Sequence, residues 1–192
     1  VRLSPGTPAT AWKAVFLLNL APTFGFVGTF TLPDTPLLVC WSACVYLVYR
    51  AVREDRPRLW YLAGAAGALA MISKYTAILL PASVLLYVLA SPGQRRWLRR
   101  PEPYVAAAIM ALGLLPTLVW NQQHGWASFE HHLFDRHPPT WRPATTLARL
   151  VAGQMEMTPP LVIILVCAWV VALRAAGRGD EDSRFVFWLS VP

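Results

Sequence analysis

The stretch GALAMISKYTAILLPA, residues 67–82, decides how the chain is threaded. Lys74 stands in its middle and is the only charged side chain among the thirty-two residues from Leu59 to Ala90. A bilayer core is about 30 Å thick, and a charge at its centre costs at least about 2.5–3.5 kcal/mol. As one helix the run from 59 to 90 would measure about 48 Å, too long for one span and very short for two. The flanking loops decide between these readings. RAVREDRPR (50–58) precedes the run, GQRRWLRRPEP (93–103) follows it, and both are rich in arginine. Loops of this kind stay on the cytoplasmic side, so the run goes out and comes back, with Lys74 and Tyr75 at the tip of a tight hairpin. Each arm of about fifteen residues reaches about 23 Å, so the tip stops short of the outer water layer. Such a tip needs protein or a water-filled cavity around it.

The rest of the chain has the same character. Of its 192 residues, 56% are hydrophobic and 14% charged, with a mean hydropathy of +0.43. Soluble domains carry about 25% charged residues, so this is a membrane-protein composition. The net charge of +7 does not indicate nucleic acid, because the arginines lie in short clusters between apolar runs. The expected architecture is all-α, a polytopic transmembrane helical bundle forming a single domain over residues 1–192. Its spans are expected at about 14–32, 36–52, 59–73, 75–90, 103–120 and 158–173, with a new one starting near 185 and an extended outer loop over 121–157. On this map thirteen of the seventeen Lys and Arg residues fall on the inner side, within 1–13, 50–58, 91–103 and 174–184. Trp12, Trp60, Trp97 and Trp120 sit at span ends, as in an aromatic belt, and Pro22 and Pro116 fall within spans. Gly64, Gly67 and Ala68 give one hairpin arm a small face for close helix packing. Cys40, Cys44 and Cys167 lie in apolar runs and read as packing residues, since two cysteines one turn apart do not close a metal site. The chain begins at Val1 and stops at Pro192 inside a new apolar run, which reads as an internal piece of a longer protein without a legible signal peptide.

The polar residues that stand out all fall on the outer side of this map. Asp34 is the one charge in the short turn TLPDTP (31–36), and Lys74 tips the next hairpin. The segment WNQQHGWASFEHHLFDRHPPTWRPA (120–144) holds His124, His131, His132 and His137 with Glu130, Asp135, Arg136 and Arg142. Structural readings exist for each. Asp34 suits a helix start before Thr35–Pro36, Lys74 can snorkel to headgroups, pair with Asp34 or bind an anion, and 127–136 can form an amphipathic helix on the membrane. No HxxxH or HExxH spacing is present, so the sequence requires no metal cofactor, although a divalent ion remains compatible with it. A phosphate that departs as a leaving group needs cations, an acceptor hydroxyl needs a carboxylate base, and a lipid carrier needs a greasy groove. Together these residues suit transfer from a lipid-phosphate donor on the outer face; a multispanning transporter or flippase that binds a lipid-linked sugar is the alternative.

LPDTPLLVCW (32–41), YLAGAAGALAMISKYTAILLPASVLLY (61–87) and LLPTLVWNQQHGWASFEHH (114–132) resemble the membrane glycosyltransferases of the GT-C fold. These are related to protein O-mannosyltransferases and to the bacterial lipid A aminoarabinose transferase, and the likeness runs from about residue 12 to 170. The resemblance implies a polyprenyl-phosphate sugar donor, a lipid or protein acceptor and an inverting displacement at the anomeric carbon. It also implies a multi-pass protein of the inner membrane with its active side extracytoplasmic. Asp34 matches the family's aspartate at the short outer turn, and Lys74, with Tyr75 beside it, the hairpin lysine. His131 and Arg136 match the basic outer loop near the donor phosphate. The family's catalytic acid lies N-terminal to anything matching here, so the base is expected outside this sequence, with Asp34 the catalytic candidate within it.

Overall fold

Residues 34–131 and 159–190 are described by a computed structural model, with short pieces at 12–13, 15–16, 145, 148–149 and 152–153. Within these residues the chain is helical and contains no strand. The expected span at 14–32, Pro22 in it, and residues 132–144 with Arg136 lie outside the described residues, save for Val15 and Phe16.

Helix α1 (Asp34–Arg53) buries Cys44, Val48, Ala51 and Val52, spaced four, three and one apart as on one helical face. It ends in a tight turn where Asp55 takes a left-handed φ of 50°, a conformation aspartate tolerates, and Pro57 leads into the next helix. Helix α2 (Arg58–Ser73) runs back along α1 and buries Trp60, Ala63, Gly64, Gly67, Ala70 and Met71. After Ser73 the helical pattern breaks. Lys74 is extended (φ −159°, ψ 123°), a single 3-10 turn follows at Tyr75–Ile78, and α3 spans Leu79–Ala90. Two residues explain the break. The Ser73 hydroxyl donates to the Leu69 carbonyl at 2.9 Å, which bends helices, and Pro81 has no N–H to donate to residue 77. Proline is tolerated in the first turn of a new helix, and that is where Pro81 sits.

The two arms do not form the tight hairpin expected of them. The neighbours of α2 are α1 and α4 (Glu102–Leu112), whereas α3 packs on α8 (Glu181–Ser190). Small residues are the reason. A Cβ on Gly64 would lie 2.9 Å from the Cα of Ala106, and one on Gly113 would lie 2.4 Å from the carbonyl oxygen of Ala68. The glycine face of α2 is therefore filled by the backbone of α4 and leaves no room for α3. Beyond Gly113, α5 (Leu115–Gln123) continues the direction of α4, and Pro116 lies in its first turn without an N–H to lose. Helix α6 is the single turn Ala127–Glu130, and α7 (Pro159–Gly177) pairs with α8.

Among the described residues, two helical stretches are long and apolar enough to cross a membrane, Asp34–Arg53 and Glu102–Gln123. The 22 residues of the second reach about 33 Å, close to the hydrocarbon thickness. A third crossing is available if Tyr75–Ala90 is taken with the following 3-10 segment, Pro92–Arg99, although the chain bends by 118° between them. Val39, Leu62, Leu69, Ile72 and Leu85 are each more than half exposed, an outward apolar surface that suits lipid rather than water. The expected aromatic belt needs correction at two of its four members. Trp60 and Trp97 are buried, with ring centroids 5.4 Å apart, because the 118° bend folds the 3-10 segment back over the start of α2.

Candidate functional site

Charged side chains sort the bundle into two ends. At one end Arg100 and Arg96 reach Asp55 at 3.1 and 3.7 Å, while Arg53 reaches Asp182 at 3.3 Å. Three loops thus meet there: the α1–α2 turn, the 3-10 segment after α3, and the α7–α8 turn. These belong to the segments that the charge map assigns to one side. The start of α1 and the end of α2 lie at the opposite end. There the Lys74 ammonium donates to Asp34 Oδ1 at 2.6 Å, across forty residues of sequence.

Each partner is placed by its backbone. Asp34 is the first residue of α1, where a carboxylate is favoured by the positive end of the helix dipole. Lys74 is held by two main-chain bonds: its N–H donates to Ala70 O and its carbonyl accepts from Ala77 N, both at 3.0 Å. Its extended backbone turns the side chain out of the α2 stripe and toward α1. The two side chains remain 42% and 38% exposed, so the pair is open to a ligand from one side. An ammonium has three donors, and Asp34 takes one of them.

Tyr75 connects this pair to the segment after α5. Its ring lies 5.7 Å from that of Phe129, which in turn lies 5.9 Å from Trp126. The turn that presents these rings is tied by Asn121, which is wholly buried. Its side chain donates to Thr117 O at 2.9 Å and accepts from Ser128 N at 3.2 Å, and its carbonyl accepts from Trp126 N at 2.8 Å. Gly125 and Trp126 both adopt left-handed φ, 62° and 61°; for a tryptophan this is strained, and the Asn121 bonds hold it. His131 follows directly on α6 and is exposed. The structure thus brings Asp34, Lys74 and Tyr75 together and sets the 126–131 turn beside them, while Arg136 lies outside the described residues. His124 stacks on Trp120, with centroids 4.2 Å apart, and bonds its carbonyl. Among the described residues no three His, Cys, Asp or Glu side chains converge as a metal site would need.

Reading charges alone misses Asn121, Phe129 and Trp126, because polar and aromatic residues crowd that whole stretch. The legible cue was an asparagine at the end of an apolar run, followed by Gly125 in a short turn.

The sequence profile of the dolichyl-phosphate-mannose-protein mannosyltransferase family matches residues 3–120, well over half of the chain and inclusive of Asp34, Lys74 and Tyr75. The chain belongs to this family. The assignment agrees with the GT-C resemblance read from the motifs, and with an all-α membrane fold. The family match ends before Asn121, so the turn carrying Phe129 and His131 lies beyond it. A curated relative, the lipid A galacturonosyltransferase RgtD of Rhizobium johnstonii, is 26% identical over 97% of this chain. The chain spans 39% of that relative's length. No solved structure gives a significant match.

Proposed function

We propose that this chain is part of a membrane glycosyltransferase that moves a sugar from a polyprenyl-phosphate donor to an acceptor hydroxyl. The reaction takes place at the Asp34–Lys74 end of the bundle, on the extracytoplasmic face of the inner membrane. The observation that carries the reading is the half-exposed Lys74–Asp34 pair, which lies within the family match and at the end opposite the arginine loops. As the anomeric carbon is attacked and its bond to the donor phosphate breaks, negative charge builds on the departing phosphate. A fixed cation in a partly dry site stabilises that charge far better than water-exposed lysine does. Lys74 supplies the cation, and Asp34 holds it in place. His131, with Arg136 farther along the chain, adds donors to the same phosphate. The carboxylate that deprotonates the acceptor comes from outside these residues, and attack from the face opposite the leaving phosphate inverts the anomeric carbon. The relative's printed name supports a lipid acceptor of the lipid A type for the whole protein.

The test is donor dependence. Purified full-length protein should transfer sugar from a polyprenyl-phosphate-linked donor and release polyprenyl phosphate in equal amount. Transfer from a nucleotide sugar in the absence of any lipid-linked sugar would sink the proposal.

A further inference from the structure

A cavity of about 320 Å³ lies between α3 and α4. It runs from Trp60 and Trp97 at the arginine end to Pro81 and Met110, and its Trp60 end is about 20 Å from Lys74 along α2. Trp60, Val84, Val88, Trp97, Tyr104 and Met110 are among its lining residues, none of which is charged. Its size falls at the lower end of the range for small-molecule sites, about 300–1,000 Å³. The space is open on one side, between lipid-facing helices, rather than a sealed interior void.

Two further features lie beside it. The indole N–H groups of Trp60 and Trp97 are buried and have no hydrogen-bond partner among the described residues. Over the same Trp97 ring lie two guanidinium groups, those of Arg100 at 4.7 Å and Arg96 at 5.8 Å from the centroid. Arg95 and Arg99 belong to the same 3-10 segment, and Asp55 is the carboxylate that Arg96 and Arg100 reach. The site therefore has an apolar slot, unmet donors beside it and an excess of positive charge at its rim. Leu85, Leu89 and Val105 on the flanking helices are exposed, so entry is from the bilayer side.

We propose that this end of the bundle binds an anionic diacyl phospholipid. One acyl chain occupies the cavity between α3 and α4, and the phosphate sits on Arg96 and Arg100. Basic pockets between membrane helices bind anionic headgroups in this way, and each arginine near the surface adds a several-fold preference.

Native mass spectrometry of the full-length protein, incubated with micelles containing equal dioleoyl-phosphatidylglycerol and dioleoyl-phosphatidylcholine, tests this. Wild type should retain phosphatidylglycerol with a preference on the order of tenfold. Arg96→Gln with Arg100→Gln should bring the preference to about one while leaving some lipid bound. Ala107→Trp, which fills the cavity from α4, should abolish retention of both lipids at an unchanged melting temperature. If wild type holds the two lipids equally, or if neither variant alters retention, the proposal is overturned. A melting temperature lowered by Ala107→Trp, with equal lipid retention in wild type, would show that another segment of the chain fills the cavity and would overturn it as well.

Discussion

A lone lysine in a thirty-two-residue uncharged run needs a reason, and its partner supplies half of one. The Lys74–Asp34 bond is short but both side chains are about two-fifths exposed, and pairs of that kind add only about 0–1 kcal/mol. Stability alone does not justify a cation there. In the full-length protein, Lys74→Met is therefore expected to insert and melt within about 1 kcal/mol of wild type. Its transfer rate should fall by about a hundredfold, because one charge-assisted contact to a developing phosphate is worth on the order of 3 kcal/mol. Lys74→Arg separates two ideas. A lysine that only snorkels is replaced by arginine without loss, whereas a compact ammonium fitted between Asp34 and a phosphate is not replaced by a wide planar guanidinium. Rates at equal amounts of inserted protein decide; full activity in the methionine variant would remove Lys74 from the chemistry. The pair was legible in the sequence because each residue is the lone charge of its turn between apolar runs. The 2.6 Å contact was not, since it depends on where α1 begins relative to the end of α2.

At the scale of helices, glycine placement determines which neighbour each element takes. Gly64, Gly67 and Ala68 announce a close contact in the sequence, but a pattern of small residues does not say which helix will use it. The nearest helix in the chain, α3, is the natural guess, yet α4 and the residue that ends it carry the matching small residues, Ala106 and Gly113. Pro81 and Ser73 mark the break after α2, whereas the 118° bend at the end of α3 has no comparable mark except Pro92–Gly93. Because the added Cβ at Gly113 would meet backbone, side-chain rotation cannot relieve the clash. Gly113→Ala should thus cost about 1–3 kcal/mol and lower the melting temperature measured in detergent. Gly93, around which a Cβ would meet nothing within 4 Å, provides the control. Gly93→Ala should melt as wild type does, and equal behaviour of the two variants would show that α2 and α4 are not packed backbone to backbone.

Over the whole molecule, charge was the most legible property, because it does not depend on side-chain packing. The arginine-rich segments 50–58 and 92–100 lie far apart in sequence, and the salt bridges of Asp55 join them at one end. What charge alone leaves open is which membrane face that end meets. Arginine-rich short loops stay in the cytoplasm, where their transfer across the membrane is avoided, so Lys74 and the turn after α5 should face the other side. Gln122 and Gly93 are both exposed, one at each end of the bundle, and each accepts a reporter cysteine. In intact cells, with native reactive cysteines removed, a membrane-impermeant maleimide should label Gln122→Cys and leave Gly93→Cys unlabelled until the membrane is opened. The reverse pattern would place Lys74 in the cytoplasm. A donor phosphate would then be met on that side, and the extracytoplasmic reaction proposed above would fail even with the Asp34–Lys74 pair intact.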